Sequence, residues 1–128
     1  MKASSPSPTY HPVSGQSGLP FSEAVRTGDL LFLAGQIGLG ESGKLVPGGV
    51  GPETRRAMEN IRAVLERHGS SLERIVKVTV MLADIGEWPA MNAEYVRFFP
   101  GHLPARSAFG TSGLALGARV EIECVAQI

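Results

Sequence analysis

Two short stretches of the chain hold residue types that could do chemistry together: Pro104-Ala105-Arg106-Ser107 and Arg119-Val120-Glu121-Ile122-Glu123. The second alternates like a strand. That would put Arg119, Glu121, Glu123 and Val125 on one face and the apolar Val120, Ile122 and Cys124 on the other. Arg106 opens a neighbouring strand, within reach of the polar face. A guanidinium suits a carboxylate because its planar fork donates two parallel hydrogen bonds. A glutamate beside it could position or deprotonate a water, more so if partial burial lifts it from about 4.3 toward working pH. Together the two fit hydrolysis of a small carboxylate-bearing substrate. On residue types alone, an Arg–Glu pair on a sheet is more often a structural ion pair. Glu123, two residues along on the same face, competes with Glu121 for the role.

Other chemistries find less support. His11, His68 and His102 are scattered, with no pair at the short spacing of a zinc site, so no metal is expected. Gly48-Gly49-Val50-Gly51 lacks the Lys-Ser/Thr of a phosphate loop and reads as a flexible loop. No Gly-x-Ser-x-Gly elbow is present. The single cysteine, Cys124, rules out an intramolecular disulfide and reads as a buried thiol. With 12 basic and 12 acidic residues, no net field draws the chain to nucleic acid or an anionic membrane. No apolar run reaches the roughly 18 residues of a membrane span. The N-terminus lacks the apolar core of a secretion signal, so a reducing cytoplasm is the expected setting.

Length and patterning describe the frame for Arg106 and Glu121. The 128 residues fit one domain, with residues 1–19, rich in Pro, Ser and Gly, as a loose leader. Phe21–Arg26 and Asp29–Gly35 read as two strands about a Thr27-Gly28 turn. Leu30–Ala34 is apolar throughout, so both of its faces are expected to meet protein. A Gly-rich loop follows, and then a helix opened by Pro52, with Ala57, Met58, Ile61, Val64, Leu65 and His68 on its inner face and Gly69 closing it. Ile75–Ala83 is a strand with Val76, Val78, Val80 and Leu82 in phase. A second helix runs from about Trp88 to Phe99, opened by Pro89 and stopped by Pro100, with Met91, Tyr95, Phe98 and Phe99 as its stripe and Asn92 beside them. Ser107–Thr111 and Arg119–Ile128 complete a β-β-α-β-α-β-β order. This is an α+β pattern: a mixed β-sheet with both helices on one face. The other sheet face would need cover, most simply from further copies of the chain.

Several segments, taken in order, resemble the RidA (YjgF/UK114) family. They are Leu33-Ala34-Gly35-Gln36-Ile37, Asn60-Ile61, Asn92-Ala93-Glu94-Tyr95 through Phe98-Phe99-Pro100, Leu103-Pro104-Ala105-Arg106-Ser107 and Val120-Glu121-Ile122-Glu123. The likeness runs from about Phe21 to the C-terminus. It implies a chorismate-mutase-like fold assembled as a homotrimer with three clefts between subunits. It also implies hydrolytic deamination of 2-iminobutanoate and 2-iminopropanoate to 2-oxo acids and ammonia, without a cofactor. By the same resemblance Arg106 would bind the substrate carboxylate and Glu121 would handle the attacking water. Gly35 and Ala108 would face the ligand largely through backbone, Asn92 would line the cleft, and Phe21 would be an aromatic wall. The chain departs from the family in having Phe21 where Tyr is frequent, Ala34 where Ser is frequent, and Ala108 where Cys is frequent. Ala108 keeps its backbone N–H and C=O, whereas a missing Tyr hydroxyl bears on substrate preference.

Two other functions fit parts of the pattern. A carboxylate-binding regulator on the same fold would keep Arg106 and could dispense with Glu121. RNA cleavage, an activity sometimes attributed to the family, is opposed by the neutral charge balance and the lack of an aromatic-plus-basic surface.

Overall fold

Apolar alternation builds the sheet, and one 3.6-residue period builds the helix that covers it. The computed structural model describes residues 7–16 and 18–128. The strands are β1 (Thr9–Pro12), β2 (Ser22–Thr27), β3 (Leu30–Ile37), β4 (Ile75–Leu82), β5 (Ala105–Gly110) and β6 (Val120–Gln127). The helices are α1 (Val50–Arg67) and α2 (Trp88–Tyr95), the latter continued by a 3-10 turn over Val96–Phe98. The strands form one sheet in the order β1-β2-β3-β6-β4-β5, parallel only between β4 and β5.

Both helices lie on one face, as the alternation implied. α1 packs on β3, β6 and α2. Its buried Ala57, Met58, Ile61, Val64 and Leu65 meet Leu31, Leu33, Val78, Val80, Ile122 and Cys124 in a single core. Each large side chain fully buried there contributes roughly 1.5–3 kcal/mol. α1 starts at Val50 rather than Pro52, so Pro52 sits inside the first turn, where its missing N–H costs nothing. Glu53 does more than face the helix dipole: it is buried, and its Oε1 accepts the Arg119 N–H at 2.8 Å.

Four local expectations change. Residues 9–12 are not a loose leader but an edge strand, with Tyr10 opposite Val25 and His11 opposite Ala24. Pro12 is tolerated at its end because an edge needs no donor on its outer side. The rest of the expected leader lies partly outside the described residues. The pairing shifts between His11 and Pro12, so Glu23 is an extra residue on β2. Glu23 is buried, and it accepts from Arg67 Nη2 at 3.0 Å and from the Ser14 N–H at 3.1 Å, with His68 Nε2 at 2.7 Å. Burial alone would push its pKa up; Arg67, His68 and the Ser14 N–H together hold it below the usual carboxylate range. His68 thus leaves the apolar face of α1 to bind Glu23, and it stacks on His11 at 4.1 Å.

On β4 the register shifts between Ile75 and Lys77, which buries Ile75 and turns Val76 outward, 44% exposed. On β3 only Leu31 and Leu33 reach the core. Phe32 is 43% exposed on the uncovered face, so one face of this strand meets its own chain. Among the described residues, no helix is long and apolar enough to cross a membrane.

Candidate active site

Strand pairing decides where each candidate side chain points. One row of partners across the sheet runs Leu33, Cys124, Val78, Arg106. A second runs Ile37, Glu121, Met81, Phe109. The first row is buried under the helices, so Arg106 leaves the sheet on the helix side. The second row faces away from them, so Glu121 leaves on the open side. The expectation that Arg106 reaches the polar face of Glu121 is therefore corrected. β4 lies between their strands, which puts the strands about 10 Å apart. The two residues pair with Val78 and Met81, three positions apart on β4, and the parallel β4–β5 register puts Arg106 in phase with Val78 rather than with Thr79.

Arg106 lies beneath α2. Its guanidinium carbon is 4.8 Å from the centre of the Tyr95 ring and 5.8 Å from that of Trp88, and Nη1 is 3.8 Å from Met91 Sδ. Among the described residues it forms no ion pair; the acids near other arginines are Glu23, Glu87 and Glu94. Arg106 lines a groove of about 590 Å3 with Trp88, Pro89, Val96, Leu103 and Pro104, and with Asn92 as the other polar side chain. Asn92 Oδ1 and Tyr95 Oη are buried and find no hydrogen-bond partner among the described residues. Burial pushes the Tyr95 phenol up to about 12 against the opposing Arg106 charge, so the ring stays neutral.

Around Glu121 the surroundings differ in kind. It sits on the central strand β6 with Glu123 on the same face. Burial, and then the Glu123 charge, raise its pKa above the ordinary carboxylate value. The β3–β6 pairing is irregular between Leu33 and Gln36, which brings Gly35 beneath the carboxylate. A Cβ on Gly35 would fall 2.9 Å from Glu121 Cδ, so glycine at this position is the condition for Glu121 to lie where it does.

Arg106 and Glu121, expected from the sequence to be neighbours, thus stand in separate regions. Arg106 and Asn92 share the groove, and Gly35 and Glu121 share the open face. Ala108 points to the helix side and packs partly against the core, outside the groove lining. Phe21 stands just ahead of β2, 52% exposed, and does not line the groove. Trp88 and Tyr95 were assigned no chemistry from the sequence. The signal was their spacing: four residues before and three after Asn92 on a helix put all three on one side.

The Endoribonuclease L-PSP family model matches residues 14–128. The chain is 42% identical over 108 residues to the mouse (Mus musculus) protein named 2-iminobutanoate/2-iminopropanoate deaminase, covering 84% of this chain and 80% of that one. It superposes with a TM-score of 0.86 on YyfA of Yersinia pestis, a Rid-family protein, at 32% identity over 95% of this chain and all (100%) of the other. The Escherichia coli protein TdcF, solved with bound serine, superposes with a TM-score of 0.82 at 28% identity, covering 88% of this chain and 91% of its own.

Proposed function

The chain belongs to the Endoribonuclease L-PSP family, and on that premise we propose that it hydrolyses small 2-imino acids, such as 2-iminobutanoate and 2-iminopropanoate. The products are the 2-oxo acid and ammonia. The observation that carries this reading is an arginine that, among the described residues, has no acid beside it and lines an apolar groove. Such a cation awaits a carboxylate from outside the chain, and the apolar walls suit a short carbon chain behind it.

Arg106 binds the substrate carboxylate as a fork. A water adds to the imine carbon and its proton passes to Glu121, whose raised pKa fits a group that must both accept and return a proton near neutrality. Glu121 returns that proton to the nitrogen, giving the carbinolamine. The hydroxyl proton then follows by way of the same carboxylate, the C=O forms as the C–N bond breaks, and the nitrogen leaves as ammonia. Asn92 offers an acceptor to the imine N–H. Gly35 and Ala108 contribute through backbone, and Phe21 forms a wall.

Because Arg106 and Glu121 leave opposite faces of one sheet, one substrate meets both only if two copies share it. This supports a homotrimer in which the β5 edge of one copy meets the open face of the next, giving three clefts. The exposed Phe32 and Phe109 on that face, at 43% and 46%, are the apolar surface such packing would cover. The same reading puts the enzyme in a reducing cytoplasm. RNA cleavage, named in the family's description, would need a basic track for phosphates, and this groove holds one cation among apolar walls.

The test generates 2-iminobutanoate with an amino-acid oxidase in the presence of semicarbazide and adds the protein or Arg106→Ala. Wild type should suppress trapping, and the variant should lose about a hundredfold or more in kcat/KM while staying assembled. If wild type leaves trapping unchanged across several amino-acid precursors, the groove binds a carboxylate without hydrolysing it.

A further inference from the structure

Arg106 is seated on aromatic faces rather than against acids. Tyr95 is 4% exposed, with the Phe99 ring 5.0 Å behind it at 45° and buried Met91 alongside. A ring so buried and packed is a rigid plate. A guanidinium laid on a ring face gains electrostatic attraction there, and its N–H groups stay directed outward in its own plane. An acid in the same place would hold the cation too, but it would occupy the N–H fork and compete with any incoming carboxylate. Trp88, 45% exposed, lines the same groove with its ring centre 5.8 Å from the guanidinium carbon.

We propose that Tyr95 is a positioning residue for Arg106: its ring face fixes the plane of the guanidinium so that the fork is presented to a substrate carboxylate before binding. The proposal rests on the carboxylate-binding reading of the groove. The ring does this work, and the hydroxyl does not. A free arginine side chain loses rotational freedom when it binds, and a seated one has lost it already, so the effect falls on affinity rather than on the chemical step.

The experiment uses the full chain and two readouts. Trp88 is the only tryptophan, so its fluorescence reports 2-oxobutanoate binding near Arg106 whether or not turnover occurs; KM and kcat for 2-iminobutanoate are measured beside it. Tyr95→Leu should weaken 2-oxobutanoate binding and raise KM by about tenfold, with kcat within about twofold of wild type. Tyr95→Phe keeps the ring and should restore both to within about twofold of wild type. In an Arg106→Ala background, Tyr95→Leu should add no further loss. Equal losses for Phe and Leu, or the same loss with and without Arg106, would overturn the proposal. Should Tyr95→Leu fail to fold, the wild-type proton spectrum decides. The Arg106 side-chain resonances must be shifted upfield by the ring, and unshifted resonances sink the idea. Wild type that binds 2-oxobutanoate but hydrolyses no imine removes the deaminase reading and leaves the seat to the binding data. Wild type that binds no carboxylate removes both.

Discussion

The Arg106 groove and the Glu121 patch are built on opposite principles. The groove is apolar, roofed by a helix, and holds a cation that stacks on rings instead of pairing with an acid. The patch lies on an uncovered sheet face among Ile37, Met81 and Phe109, and sets one carboxylate against a glycine with a second carboxylate nearby. The first arrangement favours holding a fixed charge in a fixed plane. The second favours moving a proton, because burial and like charge bring the carboxylate closer to its protonated form. Binding and proton transfer make contrary demands on their surroundings, and a sheet can satisfy both by giving each its own face.

The two regions can be put on different chains. Arg106→Ala and Glu121→Gln should each be nearly inactive alone. After unfolding together at equal amounts and refolding, about a quarter of all sites, one of the three in each mixed trimer, would combine an intact Arg106 from one copy with an intact Glu121 from the next. Recovered imine hydrolysis near that fraction supports a shared site; no recovery means that one chain must supply both residues. A smaller effect follows from Gly35→Ala, which should displace the Glu121 carboxylate and lower kcat by about tenfold to a hundredfold. Affinity for 2-oxobutanoate, measured by Trp88 fluorescence, should stay within about twofold if the two regions are separate.

The subtlest effects are those of pH. Activity that needs ionised Glu121 should rise with pH around a midpoint above the usual carboxylate value of about 4.3. Glu123→Gln should move that midpoint down while keeping activity, which identifies Glu121 as the working carboxylate. Stability should run the other way. A carboxyl whose pKa is raised on folding holds its proton longer in the folded state, so stability falls as pH rises from the unfolded to the folded pKa. Glu121→Gln should therefore melt at a higher temperature than wild type at pH 7 and show no advantage below about pH 4.

The elements themselves were legible because α1 and β6 keep clean periods. Met58, Ile61 and Leu65 are all buried, as are Val120, Ile122 and Cys124. Legibility failed where a single extra residue inverted the phase, at Glu23 and at Val76, since a bulge leaves no mark on composition. It failed again over the separation of Arg106 from Glu121. Alternation gives the face of a residue within its own strand but not which strand comes next. The β6-β4-β5 order, with its parallel pair, decided that Arg106 joins the helix side. Tyr95 was visible as core and invisible as a platform, because a buried aromatic ring looks the same in sequence whether its free face meets a leucine or a guanidinium.

The parallel pairing of β4 with β5 has a consequence of another kind. Parallel neighbours need a crossover, and here the crossover carries α2, with Trp88, Asn92 and Tyr95 on it. Everything that seats Arg106 and lines its groove therefore comes from one uninterrupted stretch, Ile75–Gly110, whereas Gly35 and Glu121 lie outside it on either side. The part of the molecule that carries the groove is a cassette. Exchanging that stretch as a block, by recombination or by design, would trade one pocket for another and leave the proton chemistry on its own strands.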